Sequence, residues 1–138
     1  MIILDTNVIS EAMRAEPHPS VRDWLNAQTA QSLFITTTSV AELRYRIERL
    51  PDGKRKAALW QILDFTMGKL FDTRILPFDR AAAEMSARIT ARAEAQGKAI
   101  GLADGQIAAI AADRQYAVAT RDTAPFMAAE IDVIDPWQ

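Results

Sequence analysis

Short apolar runs that alternate with longer helical stretches constrain the fold of this chain more than any other feature of its sequence. The first run, Ile2-Ile3-Leu4, is entirely aliphatic, as is typical of a strand buried on both faces. Because parallel strands need crossover connections, which are usually helices, the alternation predicts an α/β domain with a largely parallel sheet. The further predicted strands are 33–36, 75–78, 116–120 and 131–134, and the predicted helices are approximately 8–15, 20–30, 39–50, 54–70, 79–96 and 103–114.

The length and composition of the chain predict a single domain. It has 138 residues, of which 49% are hydrophobic, and this is enough for one core. The sequence contains no internal repeat and no low-complexity segment. We therefore expect one domain over residues 1–138 without a long linker.

The cellular compartment is predicted from residues that the sequence lacks. The absence of cysteine excludes disulfides, thiolate zinc sites and cysteine nucleophiles, and it fits a reducing compartment. The first residues form an apolar run that ends at Asp5, without the charged leader and longer apolar segment of a signal peptide. No stretch approaches the length of a membrane span. The expectation is a soluble cytoplasmic protein that does not associate with membranes.

Four acidic residues stand at junctions between the predicted elements. Asp5 follows the first apolar run and Asp122 follows the fourth, while Glu42 and Asp104 lie near the starts of two predicted helices. The carboxyl ends of parallel strands and the neighbouring helix starts meet at one rim of an α/β sheet. We therefore expect these four residues, although distant in sequence, to lie close together.

Each of these acids also has a local structural interpretation. Asp5 could cap the helix that follows it, and the segment from Ser39 to Glu42 matches a capping box. Asp104 falls in the first turn of its helix, where the helix dipole favours an anion. Asp122 could stabilise the turn that contains it. For each acid considered alone, a local role in a cap or a turn is therefore a sufficient explanation.

Taken together, the four acids favour a metal site. A cap needs only a small polar side chain, so capping does not explain a carboxylate at every junction. Mg²⁺ or Mn²⁺ explains it, because these hard cations take oxygen ligands and retain water for chemistry. Without a metal, four carboxylates in one pocket would repel one another and resist ionisation.

The charge of the chain limits its affinity for nucleic acid. The net charge is −2, without the basic excess that is typical of nucleic-acid-binding proteins. If the four acids faced a bound cation, 16 basic residues would remain against 14 acidic ones. Any affinity for nucleic acid would then be local and modest.

Other catalytic sites fit the sequence less well. The single histidine, His18, lies between two prolines, and the chain has no G-x-S-x-G motif, which disfavours a serine hydrolase triad. There is no P-loop and no dinucleotide fingerprint, since Gly101 and Gly105 are too widely spaced for either. Zinc is disfavoured because cysteine and further histidine ligands are missing.

Two groups of basic residues are candidates for contact with phosphate. The run Lys54-Arg55-Lys56 could bind phosphate, but a solvated helix start explains it better. Arg121, which precedes a predicted metal ligand, is the better candidate, with a surface ion pair as the alternative.

The segment 54–71 has an apolar surface wider than one contact with a sheet requires. We predict that part of this surface packs against another chain, and a deep intramolecular contact is the alternative. One apolar stripe comprises Leu59, Ile62, Leu63 and Leu70, and the adjoining stripe comprises Trp60, Met67 and Phe71.

Four segments of the chain resemble the acidic motifs of the PIN domain, as found in VapC-type toxins and FitB-type proteins. They are ILDTNVISEAM, TTSVAELRYRI, LADGQIAAIA and VATRDTAPF. The DTN triplet alone is weak evidence, but the four motifs in this order are highly specific, and the resemblance spans essentially the whole chain.

The resemblance implies a three-layer α/β/α domain with a parallel sheet of about five strands. It further implies an endoribonuclease that depends on Mg²⁺ or Mn²⁺. By position, Asp5, Glu42 and Asp104 would be the principal catalytic and metal-binding acids, and Asp122 would be the fourth, acting directly or through water. No motif acid is missing from the chain.

The resemblance also implies supporting residues and partners. Asn7 and Thr120 match polar positions whose hydrogen bonds orient the acids, although both could be turn residues. The implied partners are a small VapB-like antitoxin, whose C-terminal segment wraps the toxin and inserts a basic side chain into the acidic pocket, and a second copy of the chain. DNA would be bound only indirectly, through the antitoxin. With two tyrosines and a near-neutral surface, a folded RNA such as tRNA suits this chain better than single-stranded RNA.

Two alternatives to a ribonuclease remain at the level of sequence. The first is a FitB-like binding subunit that completes a DNA-bound repressor complex and has little nuclease activity. The second is a receiver-like or phosphatase domain that uses Mg²⁺ and an aspartyl nucleophile. The phosphatase form is disfavoured because Asn7, and not a second aspartate, lies two residues after Asp5.

Overall fold

The five predicted strands form one fully parallel sheet in a computed structural model that describes all residues from 1 to 138. The strand order is β3-β2-β1-β4-β5, so the first strand is central. Strands of two to four residues suffice because both faces are covered by helices. The strands are β1 (Ile2–Leu4), β2 (Leu33–Thr36), β3 (Ile75–Leu76), β4 (Ala117–Ala119) and β5 (Val133–Ile134).

Seven α-helices surround this sheet. The first six match the predicted helices with small differences at their ends, whereas the seventh was not predicted because five residues are too short to show helical periodicity. The helices are α1 (Thr6–Ala12), α2 (Pro19–Asn26), α3 (Thr37–Glu48), α4 (Lys54–Phe65), α5 (Arg80–Ala95), α6 (Leu102–Arg114) and α7 (Ala124–Ala128). Helix α4 continues as a π-helical turn, Thr66–Phe71, and short 3₁₀ turns occupy Ala30–Ser32 and Asp72–Arg74.

Alternate residues of the strands point to two separate cores. On β1, Ile3 belongs to the core beneath α5, α6 and α7, while Leu4 belongs to the core beneath α1 to α4. Val118 and Ala119 divide in the same way on β4. This alternation follows from the two-residue repeat of a strand. The domain therefore has the three α/β/α layers that the resemblance implied.

The strand order places a crevice at the carboxyl ends of the central strands. From β1 the chain adds β2 and β3 on one side of the sheet, and it then returns to add β4 and β5 on the other side. Ligands of open α/β sheets bind outside the carboxyl ends of the strands at such a reversal. Here the reversal lies between β1 and β4, whose ends lead into Asp5 and Thr120.

The start of α3 differs from the predicted capping box. Helix α3 begins at Thr37, directly after β2, and Thr36 is its cap, because Oγ1 of Thr36 accepts a 3.1 Å hydrogen bond from the backbone N–H of Ser39. Ser39 therefore lies inside the first turn, and Glu42 lies one turn further on. The capping-box interpretation of Ser39 and Glu42 was wrong, since the side chain of Thr36, the last residue of β2, supplies the cap.

The apolar segment 54–71 is divided between an inward and an outward face. Leu63 is fully buried in the core, and Met67 and Phe71 are 7% and 8% exposed. Phe65 and Leu70 are 58% and 53% exposed. The buried residues come from both predicted stripes, Leu63 from one and Met67 and Phe71 from the other, so the stripes do not separate the inward face from the outward face. An intramolecular contact accounts for the inward face, and the packing of the outward face against a second chain stays a prediction.

None of the helices combines the length and the hydropathy that a membrane span requires.

Candidate active site

Asp5 lies at the centre of the crevice, where β1 passes directly into α1. Its side chain is 5% exposed and caps the helix, with Oδ1 accepting a 2.8 Å hydrogen bond from the N–H of Thr6. Oδ2 accepts a 2.8 Å hydrogen bond from the hydroxyl of Thr120, at the end of the neighbouring strand. Each carboxylate oxygen can accept more than one bond, so both keep capacity for a ligand.

Thr120 and Asn7 form a polar network around Asp5. Since the single hydroxyl proton of Thr120 is donated to Asp5, its oxygen accepts from the backbone N–H of Asp122 at 3.0 Å and from Nδ2 of Asn7 at 3.2 Å. The Oδ1 atom of Asn7 accepts a 3.3 Å hydrogen bond from the backbone N–H of Arg121. These bonds hold the loop after β4 against the start of α1, which fixes the position of the Asp5 carboxylate.

Glu42 reaches the same crevice from the second turn of α3. Its Oε1 accepts a 2.7 Å hydrogen bond from the hydroxyl of Thr6, the residue that follows Asp5. Because a carboxylate only accepts and a hydroxyl has one proton, Ser39 donates in its 2.9 Å contact with Thr6. Thr6 was not predicted as a site residue, since a threonine within DTN carries no signal until α3 is packed against α1.

Asp104 enters from the opposite helical layer, in the first turn of α6. No side chain caps this helix at Gly101. The start of α6 is joined to the start of α3 by a 2.9 Å hydrogen bond from the hydroxyl of Thr38 to Oε1 of Gln106. This bond couples the helices that carry Asp104 and Glu42, and neither Thr38 nor Gln106 was recognisable from the sequence.

Asp122 lies on the exposed side of the crevice, in the loop after β4. The turn here is held by its backbone N–H, which donates to Thr120, and its carboxylate makes no hydrogen bond and no ion pair within the chain. The interpretation in which this side chain stabilises the turn therefore has no support, and the carboxylate remains available for a ligand.

The charges of the four acids act on one another. The pKa of Asp104 is raised from its ordinary value of 3.8 to about 6. Burial is the largest cause of this rise, and the negative charges of Asp5, Asp122 and Glu42 contribute the rest. Burial also raises the pKa of Asp5, while hydrogen bonds from Thr120 and Thr6 oppose this rise, and Glu42 and Asp122 reinforce it. The structure thus brings the four predicted residues together at one rim.

No internal cation neutralises this acidic rim. Every ion pair of the chain involves other carboxylates, and none involves Asp5, Glu42, Asp104 or Asp122. A rim of mutually repelling carboxylates is stabilised by any positive charge supplied from outside the chain. The side-chain oxygens of this set are the donors that Mg²⁺ and Mn²⁺ prefer.

The side chains do not form a closed ligand cage. No group of three histidine, aspartate or glutamate side chains converges closely enough to hold a metal ion as they stand. The acids nevertheless raise the pKa values of Asp5 and Asp104, because electrostatic repulsion acts over longer distances than metal coordination. The donor set fits a hard divalent cation by its chemistry, with Asp5 buried, Glu42 and Asp104 partly buried and Asp122 exposed.

Comparison with known proteins relates this rim to a family. The PIN domain family matches residues 2–131. The chain is 45% identical to the VapC ribonuclease Y4jK of Sinorhizobium fredii, covering 100% of this chain and 99% of that protein. It is 44% identical to toxin FitB of Neisseria gonorrhoeae, over 99% of both chains. The structure of FitAB bound to an IR36 DNA fragment has a TM-score of 0.95 and 42% identity to this chain, covering 100% of it and 96% of that chain.

The fold and the rim define a three-layer α/β/α protein with an acidic site at the carboxyl edge of a parallel sheet. The chain belongs to the PIN domain family, in the group that contains the VapC and FitB toxins.

Proposed function

We propose that this chain is an endoribonuclease that requires a divalent cation and acts as the toxin of a VapBC-type toxin–antitoxin pair. The observation that carries the proposal is the set of four coupled acids, with no internal counterion, at the sheet crevice of a PIN domain. The reaction would be hydrolysis of phosphodiester bonds in RNA. The VapC ribonuclease name of a relative that is 45% identical supports this reaction class.

Asp5, Glu42, Asp104 and Asp122 would hold Mg²⁺ or Mn²⁺ in this proposal. Such a cation supplies a Lewis acid for the scissile phosphate and lowers the pKa of an attacking water. The task of the protein is to hold the carboxylates ionised and oriented. Thr120 does this for Asp5 and Thr6 does it for Glu42, through hydroxyl hydrogen bonds of 2.8 Å and 2.7 Å.

Cleavage of RNA by the purified chain tests this proposal. We expect cleavage that is lost in excess EDTA, is restored by Mg²⁺ or Mn²⁺, and is abolished in Asp5→Asn and in Asp104→Asn. Because a helix-start asparagine still suits its position, Asp104→Asn should keep the fold. Full activity in EDTA, or in Asp5→Asn, would refute the proposal.

Mapping of new 5′ ends in cellular RNA, after brief expression of wild type and Asp5→Asn, would identify the RNA and test whether it is tRNA.

The proposed partner is a VapB-like antitoxin. An apolar groove of about 300 Å³ runs between α1, α2 and the end of α4, with Ile9, Met13, Leu25, Ile62 and Leu70 among its lining residues. An amphipathic segment of the antitoxin would fill this groove and bring a basic side chain to the acidic rim, which has no counterion of its own. DNA would be bound by the antitoxin, as the DNA-bound FitAB structure suggests for a similar pair.

A second candidate function is that of a binding subunit in a DNA-bound repressor complex, with little nuclease activity. It is favoured by the similarity to FitAB bound to DNA. The two functions predict different phenotypes. Growth arrest upon expression without the partner supports the toxin, whereas harmless expression together with tight operator binding by the complex supports the binding subunit.

A further inference from the structure

A polar cavity opens beside the acidic rim, and the proposed reaction assigns it no role. Its volume is about 770 Å³, and six of its ten lining residues carry ionisable side chains, so a charged occupant suits it. It lies between the α1–α2 connection, the start of α2, the loop after β4 and the C-terminal segment. We name it the arginine cavity after three of its lining residues, Arg14, Arg22 and Arg121.

The arginine cavity is joined to the acidic rim through Arg121. Arg121 lines the cavity and immediately precedes Asp122 in the chain. Its backbone N–H donates to Asn7, and Asn7 in turn donates to Thr120, which holds Asp5. A polymer bound at the rim would therefore meet the cavity first at Arg121.

The charge of the arginine cavity is positive. Its three arginines face two glutamates, Glu11 and Glu16, so one positive charge is in excess even with His18 neutral. This excess is local, since the whole chain has a net charge of −2.

The guanidinium groups are available to an anion. Arg121 forms no ion pair. Arg22 pairs at 3.0 Å with its neighbour Asp23, but their side chains are 54% and 69% exposed. Exposed pairs of this kind contribute about 0–1 kcal/mol, so a phosphate can replace the carboxylate at little cost. Arg14 is tied more firmly, because its partner Glu11 is buried.

Two aromatic residues complete the arginine cavity. The guanidinium carbon of Arg121 lies 5.3 Å from the ring centre of Trp137, which covers one face of the group and leaves the N–H donors in its plane free. The Nδ1 atom of His18 accepts a 3.2 Å hydrogen bond from the N–H of Ser20. The proton of a neutral His18 is therefore on Nε2, where it is a further donor.

We propose that the arginine cavity binds the phosphodiester backbone of the RNA substrate next to the scissile phosphate, through Arg22 and Arg121. This proposal rests on the proposed function. An acidic peptide is a poorer occupant than RNA. Under the proposed function the scissile phosphate of RNA already lies at the cation of the rim, so the neighbouring phosphates of the same strand reach the cavity, whereas a separate peptide would have to bind there alone.

Binding of RNA to an uncleaving variant tests the cavity. In the Asp104→Asn background, we expect Arg22→Gln and Arg121→Gln each to weaken the binding of fluorescein-labelled bulk tRNA on the order of 5- to 10-fold. Each loss of a phosphate contact should also reduce the slope of log K against log salt by about 0.7 to 1. Arg88→Gln is the matched control, because this exposed arginine of α5 lies in the opposite helical layer, forms no ion pair and hydrogen-bonds only to Sδ of Met85.

The outcomes separate this proposal from the proposed function. If the wild-type chain cuts RNA but both cavity variants bind tRNA with the affinity and salt slope of Arg88→Gln, the arginine cavity has no role in RNA binding, whether or not they weaken a partner complex. If Asp104→Asn binds no RNA and the wild type cuts none, the proposed function fails and the cavity proposal fails with it. Melting temperatures equal to that of Asp104→Asn would show that the cavity variants fold.

Discussion

At the scale of single residues, the protonation of Asp104 determines how the acidic rim behaves without a cation. Its pKa is raised from 3.8 to about 6, chiefly by burial and then by the charges of Asp5, Asp122 and Glu42. A raised pKa means that the folded state holds this proton more tightly than the unfolded chain does. The contribution of Asp104 to stability is therefore complete below pH 3.8 and is lost as the pH rises through about 6.

Asp104→Asn should consequently stabilise the chain at neutral pH when no divalent cation is present. Asparagine keeps the shape of the protonated acid but cannot ionise, so it avoids the repulsion from the other three acids. In EDTA, we expect the melting temperature of the variant to equal that of wild type near pH 3.5 and to exceed it increasingly between pH 4 and pH 6.5. A variant that is less stable than wild type at pH 7.5 would contradict this explanation.

Mg²⁺ should stabilise the wild-type chain more at pH 7.5 than at pH 5. At pH 5 a cation must displace the proton of Asp104, whereas at pH 7.5 this residue is ionised and repelled by its neighbours. Thermal melting with and without about 10 mM Mg²⁺ measures the difference, because a ligand that binds only the folded state raises the melting temperature. An equal shift of the melting temperature at both pH values would exclude Asp104 as a ligand, and Asp104→Asn serves as the control.

Thr6 should influence cleavage through Glu42, although it is not expected to contact the substrate. Its hydroxyl donates to Glu42 at 2.7 Å, and groups that orient metal ligands change metal affinity or activity by about 10- to 100-fold when removed. We expect Thr6→Ala to require more Mn²⁺ for half-maximal cleavage and Thr6→Ser to restore the wild-type requirement. If the two variants behave alike, the hydroxyl has no orienting role.

At the scale of elements, α4 shows how one apolar sequence serves two surfaces. Leu63 is fully buried, while Phe65, two residues further along the helix, is 58% exposed. Positions two residues apart on a helix are separated by a rotation of about 200°, so Leu63 and Phe65 lie on nearly opposite sides of α4, one in the core and one at the surface. The sequence pattern alone predicted an apolar surface but did not identify which residues face inwards, since Leu63 is buried and Leu70 of the same predicted stripe is exposed.

Leu63→Ala and Phe65→Ala should therefore affect different properties of the chain, the first its stability and the second its self-association. Truncation of a fully buried leucine lowers the free energy of unfolding by about 2–5 kcal/mol, whereas truncation at the exposed position changes it by less than about 1 kcal/mol. If part of segment 54–71 contacts another chain, Phe65→Ala should weaken self-association instead. Urea unfolding together with sedimentation at several concentrations measures both effects. Equal loss of stability in the two variants would show that Phe65 is buried within the monomer.

At the scale of the whole molecule, the acidic rim exists because the strand order reverses at β1. Asp5 follows the central strand, Asp122 follows its neighbour β4, and Glu42 and Asp104 arrive on helices of opposite layers. Any change that moves the two helical layers apart would therefore move Glu42 away from Asp104, although all four acids would still be present. The bond between Thr38 and Gln106 is the local link between the two helices.

We expect the free chain to form a homodimer, in keeping with the apolar residues that remain exposed on α4. Its solution mass at micromolar concentration should be twice the 15.3 kDa of one chain. Light scattering without a partner protein tests this expectation, and a monomeric mass would contradict it.

The sequence by itself determined the order along the chain of the five strands and of six of the seven helices, and it singled out the four acids of the rim. Both follow from local chemistry, because apolar runs specify buried strands and the position of an acid after a run or near a helix start does not depend on distant packing. The sequence did not determine the cap of α3, which Thr36 supplies from the end of β2. It also could not identify Thr6 or the arginine cavity, because their roles require α1 to pack against α3 and the loop after β4 to reach Asn7. Such contacts join residues far apart in the chain, so only the tertiary structure decided them.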